Sequence, residues 1–316
     1  MAPISFSLGN AISHFTKTDG PKGFLWKFAL AYALAACLLQ AISVFLQWPV
    51  YEAYIGLFAN GGGDFDGYVE DMENVSMASR LSGLLILPLA ILLWILFEGA
   101  NQRRYVRGEG FGLRIGADEG RLFVVGLIWM ALFIAMYIGF AIMIAIPVAV
   151  GLAVGSDAAM LAVLLGIVLV LGYMVLTLWF SARLSAAAAL TVRDRQIRFF
   201  ESWRVTRGKG WTIIGAWIVL GLIAMVVVMM LFYLLMAGLG IGLLAAQLPG
   251  VMQGNASEGD IITAIANPMF WGPMLVIFLA FAVFQSTLMH IFSGPAALAA
   301  RTDPAWMSQG MLGEFE

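Results

Sequence analysis

Few side chains in this 316-residue chain are of types that carry chemistry, and those few narrow the possibilities. There are two histidines, His14 and His290, and one cysteine, Cys37. His290 stands in FQSTLMHIFSGP, near the end of an apolar run. An imidazole at membrane depth can serve as a ligand or a proton relay. Its commoner state is a hydrogen bond to backbone or to a neighbour such as Gln285. No second histidine, cysteine or carboxylate is spaced with it as a metal site requires. Cys37 is alone, so the chain has neither an internal disulfide nor a paired-cysteine motif. No acid–base pair or partnered nucleophile is visible, so an enzyme is not expected, nor a cofactor or metal.

Two glycine-rich stretches invite comparison with binding loops. GEGFGLRIG at 108–116 departs from the GxGxxG spacing of a phosphate loop and follows no strand pattern. It reads as a membrane-proximal turn. GGGDFDGYVEDMEN at 61–74 lacks the carboxylate ladder of a calcium loop and reads as solvated chain.

The densest chemistry is RDRQIRFFESWRVTRGKGW at 193–211. Wound at 100° per residue, Ile197, Phe199, Phe200 and Trp203 share one side, with Arg195 and Arg198 opposite and Arg204 and Arg207 at the margin. This pattern predicts a basic amphipathic helix lying on a membrane surface. Phe199, Phe200 and Trp203 would anchor it. Arg193, Arg195, Arg198, Arg204 and Arg207 would meet lipid headgroups or an acidic partner. A nucleic-acid surface is the weaker reading, because a helix tethered at a membrane has that face occupied.

What must position these groups is a set of membrane spans. The chain is 62% hydrophobic and 11% charged, against about 45–50% and about 25% in soluble domains. Runs at 24–49, 80–99, 122–150, 158–182, 211–247 and 271–293 each reach the roughly 20 residues a crossing needs. Pro147 is a candidate kink and GLGIG at 238–242 a candidate loosening point. Gln40, Gln47, Tyr173, Thr177, Gln285 and Ser286 suit hydrogen bonds between helices. Glu98 and Arg183 fall near predicted span ends, and no buried carboxylate is expected in mid-span.

Charge sets the expected orientation. The stretch 51–79 holds Glu52, Asp64, Asp66, Glu70, Asp71 and Glu73 and no lysine or arginine. Basic residues concentrate instead at Arg103–Arg121 and Arg183–Lys209, with Lys17 and Lys22 before the first span. Short basic loops stay inside, so both termini are expected in the cytoplasm.

The expected fold is an all-α polytopic membrane protein of six transmembrane helices with cytoplasmic amphipathic interfacial helices. It is read as one membrane domain, 1–316. An amphipathic segment, 1–23, precedes a first hairpin, 24–99, with an acidic outer loop. A basic segment and second hairpin occupy 100–182, a basic helix and third hairpin 183–293, and a cytoplasmic tail 294–316. The alignment of GLRIGADEGRLFVVGLIW with ESWRVTRGKGWTIIGAWI suggests three repeated helix-plus-hairpin units.

RLSAAAALTVRDRQIRFFESWRVTRGKGW, FSLGNAISHF and RYVRGEGFGLRIGADEGRLFVVGLIW resemble segments of bacterial multi-pass proteins related to the membrane domain attached to some glycerophosphodiester phosphodiesterases. The resemblance implies an all-helical fold in a bacterial inner membrane. It does not bring phosphodiesterase activity, since two histidines cannot supply that enzyme's metal centre.

Two functions are carried forward. The first is a non-enzymatic inner-membrane protein that organises lipids, including anionic ones, or partner proteins, with homo-oligomers among the partners. The alternative is a transporter or channel component for a small or lipid-like solute. Its path would involve Gly238, Gly240, Gly242 and His290.

Overall fold

The structure is a computed structural model and describes residues 5–51, 65–154, 159–245 and 268–306. Among them every regular element is helical. In order the α-helices are α1 (Leu8–Ser13), which runs on into a 3-10 turn (His14–Thr16), α2 (Phe24–Leu46), α3 (Phe65–Arg107), α4 (Ala117–Val154), α5 (Ala159–Leu184), α6 (Ala187–Asp194), α7 (Glu201–Val205), α8 (Gly210–Ala245) and α9 (Pro268–Arg301). Six spans are long and apolar enough to cross a membrane: α2, the later part of α3, α4, α5 with α6, α8 and α9. Only 6% of the most apolar window of α4 is buried, and large side chains such as Phe133, Leu152, Met160 and Val168 point outward. Water would not tolerate so much exposed apolar surface, whereas lipid requires it. The chain is an all-α multi-pass membrane protein.

Several boundaries differ from expectation for identifiable reasons. The acidic stretch 51–79 is helical from Phe65 and continuous with the second span. Residues 52–64, and the links around Asp157 and Glu258, lie outside the described residues. α8 runs unbroken through Gly238, Gly240 and Gly242. Gly238 is used for close packing instead, since an added Cβ would run into the side chain of Ile277. α4 likewise continues through Pro147, against whose ring Gly166 of α5 is set. Of the side chains expected to join helices, Tyr173 does so, donating to the carbonyl of Met136. Gln47, Thr177 and Ser286 bond within their own helices.

The chain divides into two compact units, one of Met1–Lys22, Glu98–Gly221 and His290–Glu316, the other of Gly23–Phe97 and Leu222–Met289. The packed interior of the second unit is mainly apolar, with Ser43, Ser82 and Ser286 also buried. Phe28 and Tyr32 of α2 meet the ring of Phe97 edge-on, at 5.4 and 5.0 Å between centroids.

The first unit gathers the basic segments. Alanine explains how. SARLSAAAAL and SGPAALAA leave Ala182, Ala186, Ala187, Ala189 and Ala296 to Ala300 buried, so helix backbones approach closely. Around them pack Phe15 and Tyr105 on one side and Ile213, Ile214 and Trp217 on another. The segment 294–301, expected as tail, is thus the end of α9 and part of the core. The three basic segments are also not equivalent. The first carries α1, the second is the end of α3 and an irregular stretch, and the third holds α6 and α7.

The N-terminal segment enters this unit through a close approach at Gly20. Its φ is 99°, and a Cβ there would collide with the carbonyl oxygen of Gly108 and the guanidinium of Arg104. Gly20→Ala should therefore destabilise by at least about 2 kcal/mol, of which about 1–2 kcal/mol is the left-handed backbone alone. Gly9→Ala, at an open helical position, should be neutral or slightly stabilising. Thermal unfolding midpoints of the two variants in one detergent make the comparison.

Candidate functional site

Arginines on helix ends define this site, and burial dictates their partners. Arg103 of α3 is almost fully enclosed and pairs with Glu119 in the first turn of α4, also donating to the carbonyl of Gly112 at 3.0 Å. Arg107 pairs with Asp118 at 2.7 Å and donates to the carbonyl of Val192. Arg121 shares Asp118 at 2.9 Å, and Arg114 pairs with Glu109 at 3.2 Å. The GEGFGLRIG stretch therefore wraps arginines with its own carboxylate and carbonyl, and the first turn of α4 already holds two acids. That chemistry does not suit a phosphate loop.

A second cluster centres on Asp303, a carboxylate with 3% of its side chain exposed. Arg193 approaches it at 3.6 Å and Arg204 at 3.5 Å. Arg301 meets Asp19 at 2.7 Å, and Arg104 donates to Thr18 at 3.1 Å. Lys209 donates to the carbonyls of Ala299 and Thr302, both at 3.2 Å, satisfying acceptors at the end of α9. Burial holds its ammonium below the usual lysine range.

The single amphipathic helix expected within 193–211 is not formed. α6 ends at Asp194, Arg195 takes a left-handed conformation with φ 55°, and α7 begins at Glu201. Between them the backbone N–H of Arg198 donates to Thr191 Oγ1, which fixes the turn. α7 is tied to the end of α5 by Ser202 and Thr206, whose hydroxyls both donate to the carbonyl of Arg183. Its ring partner there is Trp203, stacked under the Arg183 guanidinium at 4.7 Å.

These turns sort the expected contact residues. Arg193 is interior: it pairs with Asp194 at 2.6 Å, donates to the carbonyl of Ala300 and lies over Trp306. It is not placed to meet headgroups. Phe199 is also interior, packed with Val125, Leu184 and Ala187, so it anchors to protein rather than lipid. Arg198 is half-exposed and pairs with Glu201 at 3.3 Å. Arg195, Arg204 and Arg207 are exposed, as are Ile197, Phe200 and Trp203.

His290 is fully enclosed in the same unit. Its Nδ1 lies 2.6 Å from Asn101 Oδ1, and Asn101 in turn donates to Ser293 at 2.9 Å. Tyr105 stacks on the His290 ring at 4.7 Å and donates to the His290 carbonyl at 2.7 Å. On the other face of Tyr105 lies His14, at 5.4 Å. Glu98 is buried, receiving a hydrogen bond from Gln102 at 2.6 Å. It does not reach out to an interface as expected, because α3 continues to Arg107 and keeps it inside the packed unit. His290 thus belongs to this cluster, whereas Gly238 packs within the other unit.

Sequence reading sets Glu98 at a span end and passes over Asn101, Gln102 and Tyr105, although the four stand at i, i+3, i+4 and i+7, a polar stripe on one helix face. Among the described residues no group of three or more His, Cys, Asp or Glu is arranged to hold a metal.

His14 has no hydrogen-bond partner on either ring nitrogen and is fully buried. Burial, then the nearby Arg301, His290 and Lys17 against the opposing Asp19, depresses its pKa from 6.5 to about 4. The docked N-terminal segment is therefore fully favoured above pH 6.5 and loses that advantage as pH falls toward 4. Opening of residues 8–19 should become roughly twentyfold more frequent between pH 7 and pH 5 by linkage. Hydrogen exchange, corrected for intrinsic rates, reads this directly. In His14→Phe the pH dependence should disappear.

Comparison with protein-family models, with curated proteins and with solved structures returns no match, so the role of this basic end is argued from its own geometry.

Proposed function

We propose that this chain is a non-enzymatic protein of a bacterial inner membrane, both termini cytoplasmic, whose basic end organises phospholipid headgroups. One observation carries the reading. The stretch 195–207 is bolted to the protein core by Phe199, Ser202 and Thr206, yet presents Ile197, Phe200 and Trp203 outward beside Arg204 and Arg207. Apolar rings beside guanidinium groups suit the boundary between acyl chains and headgroups. The resemblance to the membrane domain attached to some phosphodiesterases supports the same location.

Each basic residue near a surface contributes about 1 kcal/mol of attraction to anionic lipid. Arg204→Gln with Arg207→Gln should therefore lower retained phosphatidylglycerol at least tenfold, read by native mass spectrometry after gentle extraction. Unchanged retention in a normally folded double variant would refute the reading.

A second reading, a transport component, is favoured by Glu98. Its carboxylate lies buried in a span, without an ion pair among the described residues, and shares Asn101 as a hydrogen-bonding neighbour with His290. Ionisable groups so placed often mark proton or ion paths. In vesicles loaded with a pH-sensitive dye, the chain should then speed collapse of an imposed proton gradient, and Glu98→Gln should abolish that gain. Equal rates with and without protein would remove this reading.

A further inference from the structure

One groove in the first unit combines a span, a turn and a charged helix. It has a volume of about 520 Å³ and is lined by Ile128 of α4, by Ile197, Phe199 and Phe200 of the turn, and by Glu201 and Arg204 of α7. Its depth follows from charge. α4 carries no charged residue from Leu122 to Val154, and Ile128 lies seven residues beyond Arg121, about 10 Å at helical rise. With the charged end of α4 among headgroups, Ile128 comes level with lipid glycerol and the first methylenes.

The polar lining is a matched pair of opposite sign. Glu201 and Arg204 are three residues apart on one helix, where Cβ atoms stand roughly 5–6 Å apart. They do not pair with each other: Glu201 meets Arg198 at 3.3 Å and Arg204 meets Asp303 at 3.5 Å. Both side chains keep substantial exposure, 40% and 62%. A purely anionic headgroup would set its phosphate near the Glu201 carboxylate. A headgroup carrying both phosphate and a primary ammonium satisfies both residues.

We propose that this groove binds one phospholipid with a primary-amine headgroup, a phosphatidylethanolamine. Its phosphate accepts hydrogen bonds from the Arg204 guanidinium, a fork suited to two phosphate oxygens. Its ammonium donates to Glu201 and lies beside the exposed Phe200 ring. The acyl chains start along Ile128 and Ile197. A choline headgroup has the positive charge but no N–H to donate, and a glycerol headgroup lacks the charge. The site rests on the headgroup reading above and adds a preference that reading does not contain.

The test uses the full chain, stripped of lipid in detergent and offered equal amounts of phosphatidylethanolamine, phosphatidylcholine and phosphatidylglycerol. Native mass spectrometry counts what remains bound. The wild type should retain one phosphatidylethanolamine at least fivefold over phosphatidylcholine. Glu201→Gln should bring that ratio close to one without weakening phosphatidylglycerol. Arg204→Gln should weaken all three lipids about fivefold. Equal retention of the two zwitterionic lipids by the wild type overturns the proposal, as does a preference that persists in Glu201→Gln. If Arg204→Gln weakens all three while Glu201→Gln changes nothing, the headgroup reading stands and this site falls. If neither variant changes any lipid, both fall. Unchanged circular dichroism and thermal midpoints establish that the variants are folded.

Discussion

A guanidinium inside a nearly dry layer must have its charge matched, and the first unit is arranged around that requirement. Arg103 and Arg193 expose 4% and 6% of their side chains. Removing one partner from so buried a pair costs about 3–5 kcal/mol, far more than an exposed ion pair contributes. Arg193 has an acid beside it in the chain, Asp194, but the other acids that meet these buried arginines and Arg107 come from separate elements. Glu119 and Asp118 open α4, and Asp303 follows α9. The matches of Arg103 with Glu119, Arg107 with Asp118 and Arg193 with Asp303 therefore fix tertiary contacts as well as charge. Once the matches are made, the alanine faces of α6 and α9 can approach, because no unpaired charge is forced between them.

The same requirement explains what could be read from the sequence and what could not. Span number was legible because an apolar run of 20 or more residues has few structural alternatives in lipid. The role of individual arginines was not, because identity says that a side chain is charged and nothing about which acid will meet it. Arg193 and Arg204 look alike in RDRQIRFFESWR, yet the first is enclosed by Ala300, Trp306 and Asp303 and the second is largely exposed. A helical wheel drawn through 193–211 assumes one uninterrupted period. The left-handed Arg195 breaks that period and rotates Phe199 inward, while Phe200 stays outside. Glu98 was misplaced for a related reason. Polar residues after it suggested the end of a span, whereas they form the inner stripe of a helix that continues to Arg107.

His14 and His290 show how aromatic packing substitutes for a conventional site. Two imidazoles flank Tyr105, and only one of them has an amide to bond. The arrangement holds the N-terminal segment against α3 and α9 by stacking and burial. It is stable only while the imidazole of His14 stays neutral. The segment's other ties are the ion pair of Asp19 with Arg301 and the hydrogen bond that Arg104 donates to Thr18. Docking of the segment therefore rests on two kinds of contact, ring stacking in the interior and polar pairing at its edge.

The stretch from Asp194 to Arg207 draws these threads together. An amphipathic helix merely resting on a membrane can slide or detach, since its apolar face is its only hold. Here Phe199 is inside the protein, Thr191 holds the turn, and Ser202 and Thr206 hold α7 to the end of α5. The exposed rings and guanidinium groups are consequently carried on a rigid support, and ligand binding need not first order them. Rigidity also gives the positions of charge a meaning that a mobile basic segment lacks. With the backbone of α7 fixed, Glu201 and Arg204 start from defined places on one helix, and in the proposed site that acid serves to discriminate between headgroups.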